Sequence, residues 1–474
     1  MRRERTRPDV SRIVVVGAGV AGLVAARALA ADGDHVVVID GGDRPGGALR
    51  SATLAGVSVD LGAEAFAVTR PETRTLVGEL GLSDLVTTPR RADAHLLLDD
   101  GLHDLPHAML GVPTDLSSPQ VIAILGADGA AQAAMLDSAP VEPVPDGVTL
   151  GALVRARMGD TVAERILTPV VAGVHAADPD LVEASAVIPG LARAMVETGS
   201  LASAAARLRS TSGTPGSAIG GLRGGMTMLV RALEEDARRQ GVEVRYSCRA
   251  RQITVDGPGW RVEIVGDDGT AQHLAADAVV LAVDAPTAAS LVTDQPDLAD
   301  ALSGITVGDV AVVAAVLDEP VLDADPVGSG VLVAPGHPRV RAKALTHATA
   351  KWEWIREAYG AGRHLVRLSY GRDGRIDEPM AELPDIVRSD LAAILGINEP
   401  ALVDVRVVRW DRSLVFPRIG HRAAVERIRA AVSAVPGLAV VGAGLGGNGL
   451  AGTIALGRTA AMQLTSPTST PMGD

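Results

Sequence analysis

The stretch from Arg12 to Arg50, RIVVVGAGVAGLVAARALAADGDHVVVIDGGDRPGGALR, limits the possible folds more than any other part of the chain. Ile13 to Val16 is a β-branched run that reads as a buried strand, and Gly17, Gly19 and Gly22 form G-x-G-x-x-G where it would turn into a helix. Gly17 allows the tight turn, Gly19 lets a pyrophosphate approach the backbone, and Gly22 lets the helix pack close on its strand. Val20 and Ala21 belong to the same cofactor-binding turn. Leu23 to Ala31 is a run of strong helix formers, so the loop's N–H groups and the helix's positive end face the phosphates. A second strand, His35 to Ile39, ends on Asp40, about 20 residues past the glycine loop, where a carboxylate takes ribose hydroxyls. That carboxylate would repel a 2′-phosphate, which argues against NADP. A lone glycine motif is weak evidence, but strand, glycines, helix, strand and acid in register predict a dinucleotide site.

A chain of 474 residues holds two or three domains, and 47% apolar content makes it globular. The formal charge of −13 argues against nucleic acid as a partner. Only two lysines, Lys343 and Lys351, stand among many arginines, which reads as compositional bias. Cys248 is alone, so neither an intrachain disulfide nor a cysteine metal cluster is possible, which fits a reducing cytoplasm. Arg2-Arg3 precedes an apolar stretch in the manner of an export signal, but that stretch is the dinucleotide strand and helix itself. No uncharged apolar run is long enough to span a bilayer. Neither a G-x-S-x-G elbow nor a Gly-Lys phosphate loop is present. Pro106 between His103 and His107 breaks the helix that an H-x-x-x-H metal site needs, so no metal is expected.

Beyond Asp40, the segment Asp43-Arg44-Pro45-Gly46-Gly47, then Arg50, resembles the R-x-G-G segment of FAD-dependent oxidoreductases; a plain turn at Gly46-Gly47 is the alternative. The resemblance implies FAD, with Gly41, Arg44, Gly46, Gly47, Ala48 and Leu49 around it. Leu61-Gly62-Ala63-Glu64-Ala65-Phe66 then resembles the matching segment of protoporphyrinogen and coproporphyrinogen oxidases, which puts Gly62, Ala63 and Glu64 at the cofactor. The L-H-x-x-P and G-I-P-T elements of that family are matched at Leu102 to Pro106 and Gly111 to Pro113. Its S-L-G helical segment and P-L-L-S-G-I-Y are matched at Thr149 to Asp160 and Pro169 to Val174. Val408-Arg409-Trp410 and Gly420-His421 match its T-R-W and G-H positions, and the likeness covers nearly the whole chain.

The residues themselves predict the following elements. Residues 106 to 148 read as loops around short helices. Residues 149 to 174 read as two helices, with Leu150, Leu153 and Val154 on one face and Asp160 capping the second. Glycine-rich residues 213 to 225 lead into a helix from Met226 to about Arg239, with Met226, Leu229, Val230, Leu233 and Ala237 on one stripe. Strands are expected at 242–246, 252–255, 260–265 and 278–283, then at 310–316, 330–333, 365–370 and 403–409, with a helix near 384–394. The fold class is α/β (α+β overall): a Rossmann-like FAD-binding domain (1–55, 213–295, 416–474), an antiparallel-sheet substrate domain (56–95, 296–415) and a helical subdomain (96–212).

Val440 to Gly447 repeats G-x-G-x-x-G, but no second strand ending in an acid follows, so it is not a second nucleotide site. In flavin oxidases of this architecture that late loop and helix lie along the flavin. The resemblance therefore adds Gly442, Ala443, Gly449, Leu450 and Ala451 to the cofactor residues, with Ala250, Ala282 and Trp410. This chain departs from the family at Gly447-Asn448-Gly449-Leu450-Ala451-Gly452, which lacks the usual proline.

As a member of this family the chain is expected to oxidise a porphyrinogen in haem biosynthesis: hydride passes to FAD, O2 reoxidises the flavin to give H2O2, and no side-chain base is obligatory. Coproporphyrinogen III is the preferred substrate, protoporphyrinogen IX the alternative, and a ferrochelatase the recipient of the product. Propionates need fixed cations, and Arg70 is the candidate, against a merely solvated arginine. Peripheral membrane contact is disfavoured, since no helix shows a basic amphipathic face. Another amine-oxidase-like or desaturase-like flavoenzyme, or an inactive FAD-binding homologue, remains an alternative.

Overall fold

Along Arg12–Val16 (β1) and His35–Ile39 (β2), Ile13, Val15, Val36 and Val38 enter one hydrophobic core while Val14, Val16, Val37 and Ile39 enter another. Such continuous apolar runs are what a parallel sheet covered on both faces requires. In the computed structural model, which describes residues 11–90, 93–210 and 219–465, β1 and β2 lie in a five-stranded parallel sheet. Its spatial order is Glu243–Arg245, β2, β1, Ala278–Leu281 and Leu438–Val440. The order reverses at β1, so the crevice at the carboxyl ends of β1 and Ala278–Leu281 is a topological switch point. Val20–Ala31 (α1) covers one face together with helices Thr227–Arg239 and Leu450–Thr465. Leu229, Val230, Leu233 and Ala237 are all buried there, as their helical spacing predicts.

The second sheet has seven strands, in the order Leu402–Val415, Val307–Asp318, Arg363–Tyr370, Ala344–His347, Gly330–Val333, His95–Leu98 and Gly101–Asp104. All neighbours are antiparallel except Gly330–Val333 beside His95–Leu98. Residues 95–104 thus pair into this sheet, although the sequence places 96–104 with the helices. Strands Ala271–Ala276 and Ala344–His347 were not expected either. The first, AQHLAA, is rich in helix formers, and its pairing with Gly259–Gly266 overrides that preference.

Two helical expectations need correction. Pro119–Asp137 is one long helical run broken at Gly126, where loops around short helices were expected. Pro119 starts it, as proline does in a first turn, and the Ser118 hydroxyl accepts from Val121 N. Residues 149 to 175 form the two expected helices, Leu150–Met158 and, past Gly159, an unbroken run of Asp160–Val162, a π-helical stretch Ala163–Leu167 and Thr168–His175. Asp160 caps nothing; its carboxylate pairs with Arg155 at 3.3 Å. Leu150, Leu153 and Val154 do share the buried face. Arg2-Arg3 and residues 213–218 of the glycine-rich approach lie outside the described residues.

Under the second sheet His347 is fully buried, and its Nε2 shares a hydrogen bond of 3.1 Å with His364 Nδ1. Burial first, and then His364, pushes His347 down to about 4. The unfolded chain takes up that proton near pH 6.5 and the folded one only near about 4, so stability is lost as pH falls through this window. Denaturant midpoints followed across it should drop in the natural chain and drop less in His347→Asn; parallel curves would refute this role.

Candidate active site

Three glycines of the first loop divide the labour the motif requires. Gly17 (φ +110) donates its N–H to Ile39 O at 2.8 Å, and a Cβ on it would lie 2.6 Å from Ala282 O. A Cβ on Gly22 would overlap the carbonyl oxygen of Gly17. Gly19 is different: its Cβ would meet nothing within 4 Å. No side chain caps α1, so the N–H groups of Val20, Ala21 and Gly22 face an open cradle at a helix N-terminus. Asp40 stands beside it, Oδ2 accepting from Ala18 N (2.6 Å) and Oδ1 from Gly42 N (2.7 Å). A carboxylate has about four acceptor sites, so two remain for ribose hydroxyls. These residues fit a dinucleotide.

The strand entering at Cys248 brings Ala250 to the same end, since Cys248 N donates to Asp40 O at 2.8 Å. Next to it is a residue the sequence did not single out: the side chain of Arg249 lies across Gly41, its Nε 3.5 Å from where a Cβ would stand.

Residues 44 to 49 fold back over the loop. Gly46 N donates to Ala18 O (2.9 Å), Gly47 lies against Gly19, and Leu49 is buried behind them. Arg44 is exposed, 3.5 Å from Asp43. Ala48 O then accepts from Ala63 N (3.2 Å), and a Cβ on Gly62 would overlap that same carbonyl. Trp410 closes this contact by donating Nε1–H to Leu61 O at 3.2 Å. Ala48, Gly62, Ala63 and Trp410 are therefore brought together from three distant segments.

Glu64 sits differently. Its carboxylate is held between Lys351 Nζ (2.6 Å) and an Arg367 guanidinium nitrogen (2.5 Å), and Arg367 also donates to Gly62 O. Burial alone would raise its pKa, but Lys351 and Arg367 outweigh it and hold the carboxyl down to about 2. Nearby Asp60 accepts from Met226 N through both oxygens, and burial pushes it up to about 6. Lys351, Arg367 and Asp60 were not among the expected site residues; only their burial in the fold marks them.

Gly442 follows the strand Leu438–Val440, and Val441 N donates to Leu281 O at 2.9 Å, so this loop reaches the same carboxyl-terminal crevice. Ala443–Gly446 is a single helical turn, and Gly449, Leu450 and Ala451 open the helix Leu450–Thr465. The unusual 447–452 segment is anchored by Asn448, whose Oδ1 accepts from Val415 N (2.8 Å) and whose Nδ2 donates to Val415 O (2.9 Å). Arg70 is not drawn into this group. It is exposed at the start of helix Pro71–Glu79, and Arg74, not Arg70, lines the 510 Å³ cavity beside that helix.

Because Gly19 has φ −70 and open space, a side chain there offends only a ligand. Gly19→Val should unfold like the natural chain yet retain no flavin by absorbance after purification. Asp40→Ala should weaken FAD roughly 10- to 100-fold, the scale of hydrogen bonds to a charged group. Unchanged flavin occupancy in both would remove the loop from the site.

Residues 20–465 match the family of flavin containing amine oxidoreductases. The chain is 34% identical over 450 residues to a coproporphyrinogen III oxidase of Mycobacterium tuberculosis, covering 92% of this chain and 93% of that one. It is 26% identical over 468 residues to the coproporphyrinogen III oxidase of Bacillus subtilis, covering 94% and 96%. A crystal structure from Exiguobacterium sp. 255-15, assigned as a protoporphyrinogen oxidase, superposes with a TM-score of 0.83 at 25% identity, covering 97% of this chain and all of that one. With a dinucleotide cradle at its switch point and FAD as its cofactor, the chain belongs to the flavin containing amine oxidoreductase family.

Proposed function

We propose that this oxidoreductase converts coproporphyrinogen III to coproporphyrin III in haem biosynthesis, with O2 as the final acceptor and H2O2 as the by-product, in the cytoplasm, and passes its product to a ferrochelatase. The observation that carries the substrate is the 34% identity to a coproporphyrinogen III oxidase along 92% of this chain. Bound FAD supplies the hydride acceptor. The chain's own residues hold and orient: the Gly19 cradle and α1 take the pyrophosphate, Asp40 the ribose, and the Gly62–Trp410 contact walls the site from water.

Both buried carboxylates near that wall are already engaged, Glu64 by two cations and Asp60 by Met226 N. Neither is needed as a base when aromatisation drives the reaction, so positioning carries the catalysis. Among the described residues no helix is long and apolar enough to cross a membrane. Protoporphyrinogen IX is the rival substrate, favoured by the 29% identity to a chloroplastic protoporphyrinogen oxidase of rice.

Porphyrin fluorescence followed under air, with FAD-loaded protein offered each porphyrinogen in parallel, should rise faster with coproporphyrinogen III. A faster rise with protoporphyrinogen IX would overturn the substrate. Rates no higher than spontaneous oxidation on both would overturn the reading.

A further inference from the structure

In a chain so rich in arginine, the two lysines that remain are both withdrawn from water. Lys351 has its counterion in Glu64. Lys343 is only 4% exposed, and among the described residues no carboxylate pairs with it. The charged group acting on it is another cation, Arg372. The Arg372 Nη2 group donates to Val333 O (3.2 Å) and Ala342 O (3.4 Å), which places the guanidinium beside the Lys343 backbone, while its Nη1 is buried without an acceptor. From the other side comes helix Thr168–His175. Its Gly173 approaches the Lys343 carbonyl, a Cβ there lying 3.4 Å away, and His175 is lowered by burial and then by Lys343.

Three groups able to carry positive charge thus meet where this helix crosses the strands Gly330–Val333 and Ala344–His347. Burial, and then Arg372, pushes Lys343 down to about 7. A buried cation without a counterion is destabilising, and an apolar side chain of the same length would serve packing better. Asp373, which also accepts from Asp178 N at 2.9 Å, and Glu378 act on Arg372, but neither acts on Lys343. The 360 Å³ cavity on which Arg372 borders carries Arg155 as well as Asp178, Asp180, Glu164 and Asp373.

We propose that Lys343, with Arg372 and His175, forms the binding site for one carboxylate side chain of the porphyrinogen, an inference that rests on the porphyrinogen reading above. A carboxylate there accepts from Nζ and from the orphaned Nη1, turning a cluster of like charges into charge-assisted hydrogen bonds. Anchoring one carboxylate in this way would fix the rotation of the macrocycle within its own plane.

The test compares FAD-loaded natural protein with Lys343→Met for binding of coproporphyrin III and of its tetramethyl ester, by fluorescence titration. Melting temperature and FAD occupancy are recorded alongside. The natural protein should prefer the free acid. Lys343→Met should lose about tenfold or more on the free acid and nothing on the ester, the scale of a charged hydrogen bond. Its KM for coproporphyrinogen III should rise with kcat little changed, FAD occupancy should hold, and the melting temperature should not fall. Lys343→Arg should restore part of the free-acid preference. If Lys343→Met does not fold, Lys343→Gln is read by the same criteria. Free-acid affinity retained in the variant, where the natural protein binds the porphyrin, overturns the carboxylate site alone. A natural protein that binds neither porphyrin overturns the function, and the site with it.

Discussion

The approach of α1 to β1 without an intervening side chain is the contact on which the remainder of the molecule depends. A Cβ on Gly22 would overlap the Gly17 carbonyl, and one on Gly17 would press into Ala282 O. That closeness brings the first turn of α1, which no side chain caps, to the mouth of the switch point. The same economy recurs at the C-terminal helix. A Cβ on Gly457 would stand 2.7 Å from Ala21 O, so Leu450–Thr465 packs directly on α1. Two helix starts, from opposite ends of the chain, are thereby directed at one crevice.

Polar contacts on backbone carbonyls join the second sheet to this frame, beside an apolar cluster of Leu54, Val59 and Leu61 with Ala314, Val316 and Val408. Arg367, on the strand Arg363–Tyr370, holds Gly62 O and Glu64; Trp410, on Leu402–Val415, holds Leu61 O. Asn448 then pairs with both backbone groups of Val415 on that last strand. The Gly62–Trp410 contact and the second sheet consequently share their supports. The missing proline of the 447–452 segment is offset by this side-chain pairing, which secures the loop without restricting φ.

Much of the nucleotide half was legible because its signals are local. Gly17, Gly19, Gly22 and Asp40 act within one strand–helix–strand unit, and Leu229, Val230 and Leu233 follow a helical period that survives folding. The second half was read less well. Ala344–His347 and Ala271–Ala276 are strands because of what lies beside them, and the short helices expected around 119–137 run on into a single stretch broken only at Gly126. Arg70 was chosen for its place after the GAEAF segment, yet the fold leaves it on the surface, while Lys343 was noted only as one of two lysines and given no role.

By itself, then, the sequence determined the dinucleotide fold, the order of its strands along the chain and the acid, Asp40, that ends β2 beside the glycine loop, since each depends on residues within about one supersecondary unit. Only the tertiary structure decided which charges are paired. Glu64 finds Lys351 and Arg367 some three hundred positions away, and among the described residues no acid pairs with Lys343. Pairing of that kind depends on burial and on the meeting of distant strands, and neither leaves a periodic mark in the chain.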